Sequence, residues 1–206
     1  MGQFRSKSPF EFTGGNLCLD FTNTVNNRLA DRREDLFNDY GRLLQWGEES
    51  GAISGKTREH LQHIAAEAPG NAVSTVRRAV QLREAIYDIF SAVVHRRAVP
   101  ATALALLNKS AQRAAQQGEI VHANRRFLWQ WTSPDTNLDA MLWPVIRAAS
   151  HLLASEELSV VRQCAAEDCA WLFLDKTKNH RRRWCDMKGC GNRAKARRYY
   201  QRKKAE

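Results

Sequence analysis

A mainly α-helical chain with a small β element, closed by a compact C-terminal module clamped on a metal, is the fold class that three features of the sequence predict. Apolar residues recur at helical spacing through most of positions 1–160, alternating runs are short and bounded by turn residues, and four of the five cysteines crowd between Cys164 and Cys190. With 206 residues, 43% of them hydrophobic, the chain can bury a sizeable core as one domain or two. The patterning divides it into a helical unit, residues 1–160, and a small finger, residues 161–206.

The elements follow in order. Phe10-Glu11-Phe12 alternates and ends at Gly14-Gly15, which predicts a short strand and a turn. Leu17, Phe21 and Thr24 fall at helical spacing and predict a short buried helix. A second helix is expected from Leu36 to about Trp46, with Gly47 just past its end, followed by a loop from Gly51 to Gly55. The amphipathic segment Thr57 to Ala68 stops at Pro69-Gly70. The longest helix, about Val73 to Arg97, carries the widest apolar stripe and supplies the candidate core, including Ala79, Leu82, Ile86, Ile89 and Phe90. An antiparallel partner begins at Pro100 and runs to Gly118. Residues Glu119 to Thr132 predict a hairpin turning near Asn124, and Asn137 to Ala154 a last helix, kinked or broken at Pro144.

Charge is distributed unevenly. Thirty-two Lys and Arg against 22 Asp and Glu give a formal charge of +10, and residues 164–206 alone hold 13 basic and 5 acidic groups. That asymmetry places the contact with an anionic partner at the C-terminal end. No apolar run reaches membrane-spanning length, and the start from Met1 to Pro9 is polar without an export segment, so a cytoplasmic protein with no membrane partner is expected. In a reducing compartment, clustered cysteines indicate a metal before they indicate disulfides.

Cys164 and Cys169 are separated by four residues, Cys185 and Cys190 by four more, and fifteen lie between the pairs. Two short clips joined by an insert can surround a tetrahedral ion, and four thiolates make Zn2+ the expected cofactor in a closed, structural site with no open position for catalysis. Within the insert, Trp171 to Leu174 alternates like a strand, and Arg183-Trp184 leads back to Cys185, predicting a hairpin anchored on the metal. After Cys190, Gly191 gives a tight turn and Asn192 is a good N-cap for a helix reaching about Lys204. Clip, hairpin and a helix holding the last ligand in its first turn form a treble-clef-like zinc finger.

On that last helix, Ala196, Tyr199 and Tyr200 share one side and can pack on the hairpin. Arg193, Lys195, Arg197, Arg198 and Arg202 cover the other, and the insert adds Lys178, Arg181, Arg182 and Arg183. Basic groups from two elements can meet several phosphates at once, which makes DNA the expected partner. A patch for an acidic protein is the alternative.

These residues carry a family resemblance. Cys164 to Cys169, Phe173-Leu174-Asp175, Arg183-Trp184-Cys185 and above all Cys190-Gly191-Asn192-Arg193 resemble the bacterial CGNR zinc-finger family. The stretch from Gly14-Gly15-Asn16-Leu17 to Asn23-Thr24-Val25 is similar to the opening of the ABATE domain that accompanies this finger. The resemblance covers nearly the whole chain. It implies a stress-associated transcription regulator in bacteria, nucleoid-associated when bound to DNA, with Cys164, Cys169, Cys185 and Cys190 as zinc ligands and Asn192 and Arg193 as the signature pair. Arg193 is then either a phosphate or base contact, or a structural arginine paired with Asp175 or Asp186.

Asp20, Asn23 and Arg28 stand in or beside an apolar segment, where buried polar groups need partners. They are the candidate ligand pocket for a small-molecule effector, the structural alternative being caps and core hydrogen bonds. Cys18, flanked by Leu17 and Leu19, reads as a buried inert thiol, His60 and His63 as surface histidines, and Trp129, Trp131 and Trp143 as core or cavity aromatics. With no Gly-rich phosphate loop, nucleophile elbow or paired catalytic motif, no enzymatic function is expected. A homodimer is the natural reader of a palindromic site.

Overall fold

The computed structural model describes residues 8–205; the polar start Met1–Lys7, on which the expectation of no export segment rests, lies outside the described residues. Seven α-helices and three two-stranded antiparallel pairs make up the described chain, a mainly helical fold with small β elements. Among the described residues no helix is long and apolar enough to cross a membrane.

Helix α1 (Leu17–Thr22) is short, and Asn16 caps it by accepting from the Cys18 N–H. Cys18, Leu19 and Phe21 are fully buried, because α1 lies between α4 (Pro69–Val94), α6 (Leu142–Leu153) and the last strand, β6 (Leu172–Leu174). Phe37 and Trp46 close on Phe21, and Phe10 on Phe37, with the Phe21 and Trp46 ring centroids 5.0 Å apart. Burying such rings contributes about 1.5–3 kcal/mol each and fixes the packing of the N-terminal loop.

Several expectations shift. Residues 10–15 form no strand; Gly14 instead gives its N–H to the Asp20 carboxylate at 2.7 Å and its carbonyl to the Leu174 N–H at 2.8 Å. A two-residue pairing of β1 (Val25–Asn26) with β2 (Glu34–Asp35) is too short to show as periodicity. Helix α2 (Tyr40–Glu49) starts later than Leu36 because Asp39 caps it, accepting from the Arg42 N–H at 2.8 Å. Gly47 does not stop this helix but lies inside it, where a Cβ would meet that of Met141 at 3.0 Å. The chain turns at Gly51, whose φ of 77° a glycine adopts without strain.

Helix α3 (Gly55–Glu67) is followed directly by α4, with Pro69 in the first turn of the latter, where its missing N–H costs nothing. Helix α5 (Ala101–Ala115) packs on α4, and a hairpin of β3 (Gly118–Ala123) with β4 (Arg126–Trp131) turns through Asn124 and Arg125, both at positive φ. Pro144 neither kinks nor breaks α6: the helix begins at Leu142, so the proline sits in its first turn. Trp131 packs on the buried Trp143 with ring centroids 5.7 Å apart, while Trp129 lies exposed against Arg147.

Strand β5 (Val161–Gln163) pairs with β6 in the register Val161 to Leu174 and Gln163 to Leu172. Val161, Leu172 and Leu174 join the main helical core. The finger's hairpin is therefore built across the first cysteine clip, and not within the insert between the two clips as expected. The last helix, α7 (Asn192–Ala205), follows a single π-turn at Met187–Gly191.

Candidate metal centre and basic surface

The four-cysteine site is built from two turns. In the first, the Cys164 N–H donates to the Trp171 carbonyl at 2.8 Å and the Cys169 N–H to Ala166 at 3.2 Å, bending residues 164–169 into a clip between β5 and β6. In the second, Asp186 accepts from the Gly189 N–H and the Gly191 N–H returns to the Asp186 carbonyl at 3.0 Å. Asp186, rather than Asn192, is thus the cap; Asn192 is already helical and donates to Lys188. A Cβ at Gly191 would meet the Met187 Sδ at 2.8 Å, the end of a flexible, half-exposed side chain that can move aside.

These turns bring the sulfur atoms of Cys164, Cys169, Cys185 and Cys190 within 4.8 Å of one another, all on buried residues. The Cys169 and Cys185 sulfurs are 3.7 Å apart and those of Cys185 and Cys190 3.6 Å. A tetrahedral site with metal–sulfur bonds of about 2.3 Å needs sulfurs about 3.8 Å apart, so spacing and donor set both fit a four-coordinate soft or borderline ion. Phe173, Trp171 and Ala166 pack beside the sulfurs in a second small core.

The insert between the clips is organised by Asp175, fully buried at the end of β6. Its carboxylate accepts from the Thr177 N–H and hydroxyl and from the Arg182 N–H, and its carbonyl accepts from His180 Nδ1. The Arg182 guanidinium is committed to the backbone, donating to the carbonyls of Trp184 and Cys185 while lying 4.3 Å from the Phe173 ring. Lys178, Arg181 and Arg183 remain exposed on the same turn, and Arg183 lies over the Trp184 ring.

Arg193 donates to the Cys190 sulfur at 3.2 Å and pairs with Asp168 at 3.5 Å, not with Asp175 or Asp186. Arg197, one turn on, pairs with Glu167 and Asp168, each at 3.1 Å. The acidic pair in the first clip therefore pins the first two turns of α7 against the metal site. These acids escape a reading of the sequence, although the four-residue spacing of Arg193 and Arg197 is the signal that could have shown one helix face returning to one clip. The expected packing of Tyr199 and Tyr200 on the hairpin does not occur: they are 58% and 65% exposed, because α7 projects from the core. Lys195, Arg198 and Arg202 are exposed along it.

The structure does not join Asp20, Asn23 and Arg28 in one pocket. Asp20 holds the Gly14 N–H, Asn23 bridges to Leu172, and Arg28 pairs with Glu84 at 2.5 Å, donates to the Thr22 carbonyl and stacks on Tyr87. Each side chain fastens the first segment to a different neighbour. Burial pushes the Asp20 carboxyl up to about 6, opposed by the Gly14 N–H, and pushes the Cys18 thiol well up, which leaves it unreactive. His60 and His63 are exposed, beside Asp135 and Glu67.

Comparison with known families agrees with this architecture. The ABATE family, described as "Putative stress-induced transcription regulator", matches residues 15–156, and the CGNR zinc finger matches residues 161–203. No curated protein matches the chain. The first match covers more than half of the chain and the second contains all four clustered cysteines, so the protein belongs to the ABATE family and carries a CGNR zinc finger over residues 161–203.

Proposed function

We propose that the protein is a zinc-dependent, DNA-binding transcription regulator whose contact element is α7. The observation that carries this reading is the mounting of that helix: pinned at its start to the four-cysteine centre, it presents Lys195, Arg198 and Arg202 to solvent with no acidic side chain between Asn192 and Ala205. Lys178, Arg181 and Arg183 extend the basic surface from the neighbouring turn, and Arg183 and Arg198 line a groove of about 280 Å³ beside Trp184, in which Glu167 and Asp168 are paired with Arg193 and Arg197. Such a face neutralises phosphates, and the rigid mount orients it for base contacts.

Cys164, Cys169, Cys185 and Cys190 hold Zn2+ in this reading, the tetrahedral thiolate set being suited to it. The bound ion supplies a cross-link between the two clips. Arg193 offsets the negative charge of the thiolates, while Arg182 and Arg197 position the turn and the helix rather than meeting DNA first. The protein then works in the bacterial cytoplasm, on the nucleoid when bound, and as a dimer where the site is palindromic.

The test is selection from a random duplex pool by the zinc-loaded protein at physiological salt. Enrichment of a motif is the expected result. Retention without enrichment contradicts sequence-specific regulation, and no retention contradicts DNA binding, favouring the reading in which the exposed Tyr199 and Tyr200 serve a protein-interaction finger.

A further inference from the structure

Helices α2, α3 and α4 converge without closing on one another. Gly41 on α2, Ala65 and Ala66 on α3, and Ala72 on α4 present too little side chain to fill the junction, and a trough of about 820 Å³ remains. Its apolar walls are completed by Leu44, Val76 and Val73, the last 61% exposed. That volume is in the range of about 300–1,000 Å³ typical of small-molecule sites.

The rim carries an excess of positive charge. Arg42, Arg58 and Arg77 edge the trough, from a different helix each. The acid among the lining residues, Asp39, is occupied in capping α2. Arg58 is paired with Glu48, but among the described residues Arg42 meets only the neutral Gln45 side chain and Arg77 makes no ion pair. Two guanidiniums on the rim of an apolar hollow suit a planar anionic head attached to an apolar body.

We propose that this trough binds a small anionic amphiphile, a carboxylate with an aliphatic or aromatic body. The site shares no residue with the cysteine centre or with the first segment's Asp20, Asn23 and Arg28. Apolar contact supplies affinity, and the free guanidiniums select the anion over an alcohol or amine of the same shape.

The full-length, zinc-loaded protein is titrated with 8-anilinonaphthalene-1-sulfonate by fluorescence, then with decanoate, decanol and decylamine as competitors below their micellar concentrations. One saturable site per chain is expected, displaced by decanoate and not by decylamine. The exposed substitutions Arg42→Glu and Arg77→Glu together weaken binding roughly tenfold or more. Ala66→Trp, also at an exposed position, fills the trough and abolishes binding with helicity and zinc content unchanged. Non-saturating fluorescence, equal displacement by decylamine, or binding untouched by these variants overturns the proposal. Displacement by an acidic Glu/Leu amphipathic helical peptide but not by decanoate also overturns it, in favour of a protein partner.

Discussion

The Asn23 side chain holds both backbone groups of Leu172: Nδ2 donates to the carbonyl and Oδ1 accepts from the N–H, each at 2.9 Å. It serves as the next strand on the free edge of β6, and the Gly14 carbonyl continues that edge by accepting from the Leu174 N–H. Trp171 adds a third tie by donating its indole N–H to the Val25 carbonyl at 2.8 Å. The helical segment thus completes the hairpin that carries the first cysteine clip.

Asn23→Ala removes both bonds and leaves two buried peptide groups unpaired, at a cost of about 1–3 kcal/mol each. Thermal unfolding should show a clear loss of stability, with the helices and the cysteine centre melting together. A variant that loses the finger's tertiary signal while the helices keep the wild-type Tm contradicts this coupling.

Asp20 makes a pH prediction of definite sign. Its folded pKa is raised to about 6 from the ordinary value of 3.8, so its contribution to stability is greatest below about pH 4 and declines as pH rises through 6. Asp20→Asn retains an acceptor for the Gly14 N–H and removes the buried charge. Relative to wild type it should be more stable at pH 7, by on the order of 2–3 kcal/mol, and lose the advantage toward pH 4. A stability difference independent of pH contradicts this.

Arg83, almost fully buried, forms a bidentate pair with Asp35 at 2.7 Å and also binds Glu84 and Thr24, fastening β2 to α4. Burial opposes the charged carboxylate, but the Arg83 guanidinium holds Asp35 below the usual range, so this stability is present above about pH 4 and lost as pH falls through the folded pKa. Asp35→Ala should cost about 1–2 kcal/mol, because the Asp35 side chain is 41% exposed and Arg83 keeps its pair with Glu84. Denaturant unfolding at pH 7 measures it, and an unchanged midpoint contradicts the role.

Arg193 touches the Cys190 sulfur, so its loss should loosen the metal before it affects DNA. Arg193→Gln should weaken zinc affinity roughly tenfold or more in a chelator competition, with Arg193→Lys retaining part of it. Unaltered zinc affinity in both variants contradicts the charge-offsetting role.

Much of this arrangement is legible in the sequence because it is periodic or chemically rare. The apolar stripe of α4 and the paired clips at Cys164 and Cys185 each announce one geometry. What escapes depends on partners distant in the chain. Glycine at position 47 reads as a helix stop, but Met141 and Ile53 need its small size inside the helix. Strand β6 is visible in the alternation of residues 171–174, yet its partner is not, because three-residue strands carry too little pattern to choose a neighbour. Asp20, Asn23 and Arg28 look like one polar constellation in sequence, and only the fold separates them.

The central claim is that α7 meets DNA phosphates through side chains free of the acidic clip. Its most direct test is the salt dependence of duplex affinity for wild type, Arg198→Gln with Arg202→Gln, and Cys185→Ser. The double variant should flatten the slope of log K against log salt by about 0.9 for each phosphate it no longer neutralises, with zinc content unchanged, and Cys185→Ser should lose both metal and binding. A slope identical to wild type in the double variant, or full affinity without metal, would contradict the account.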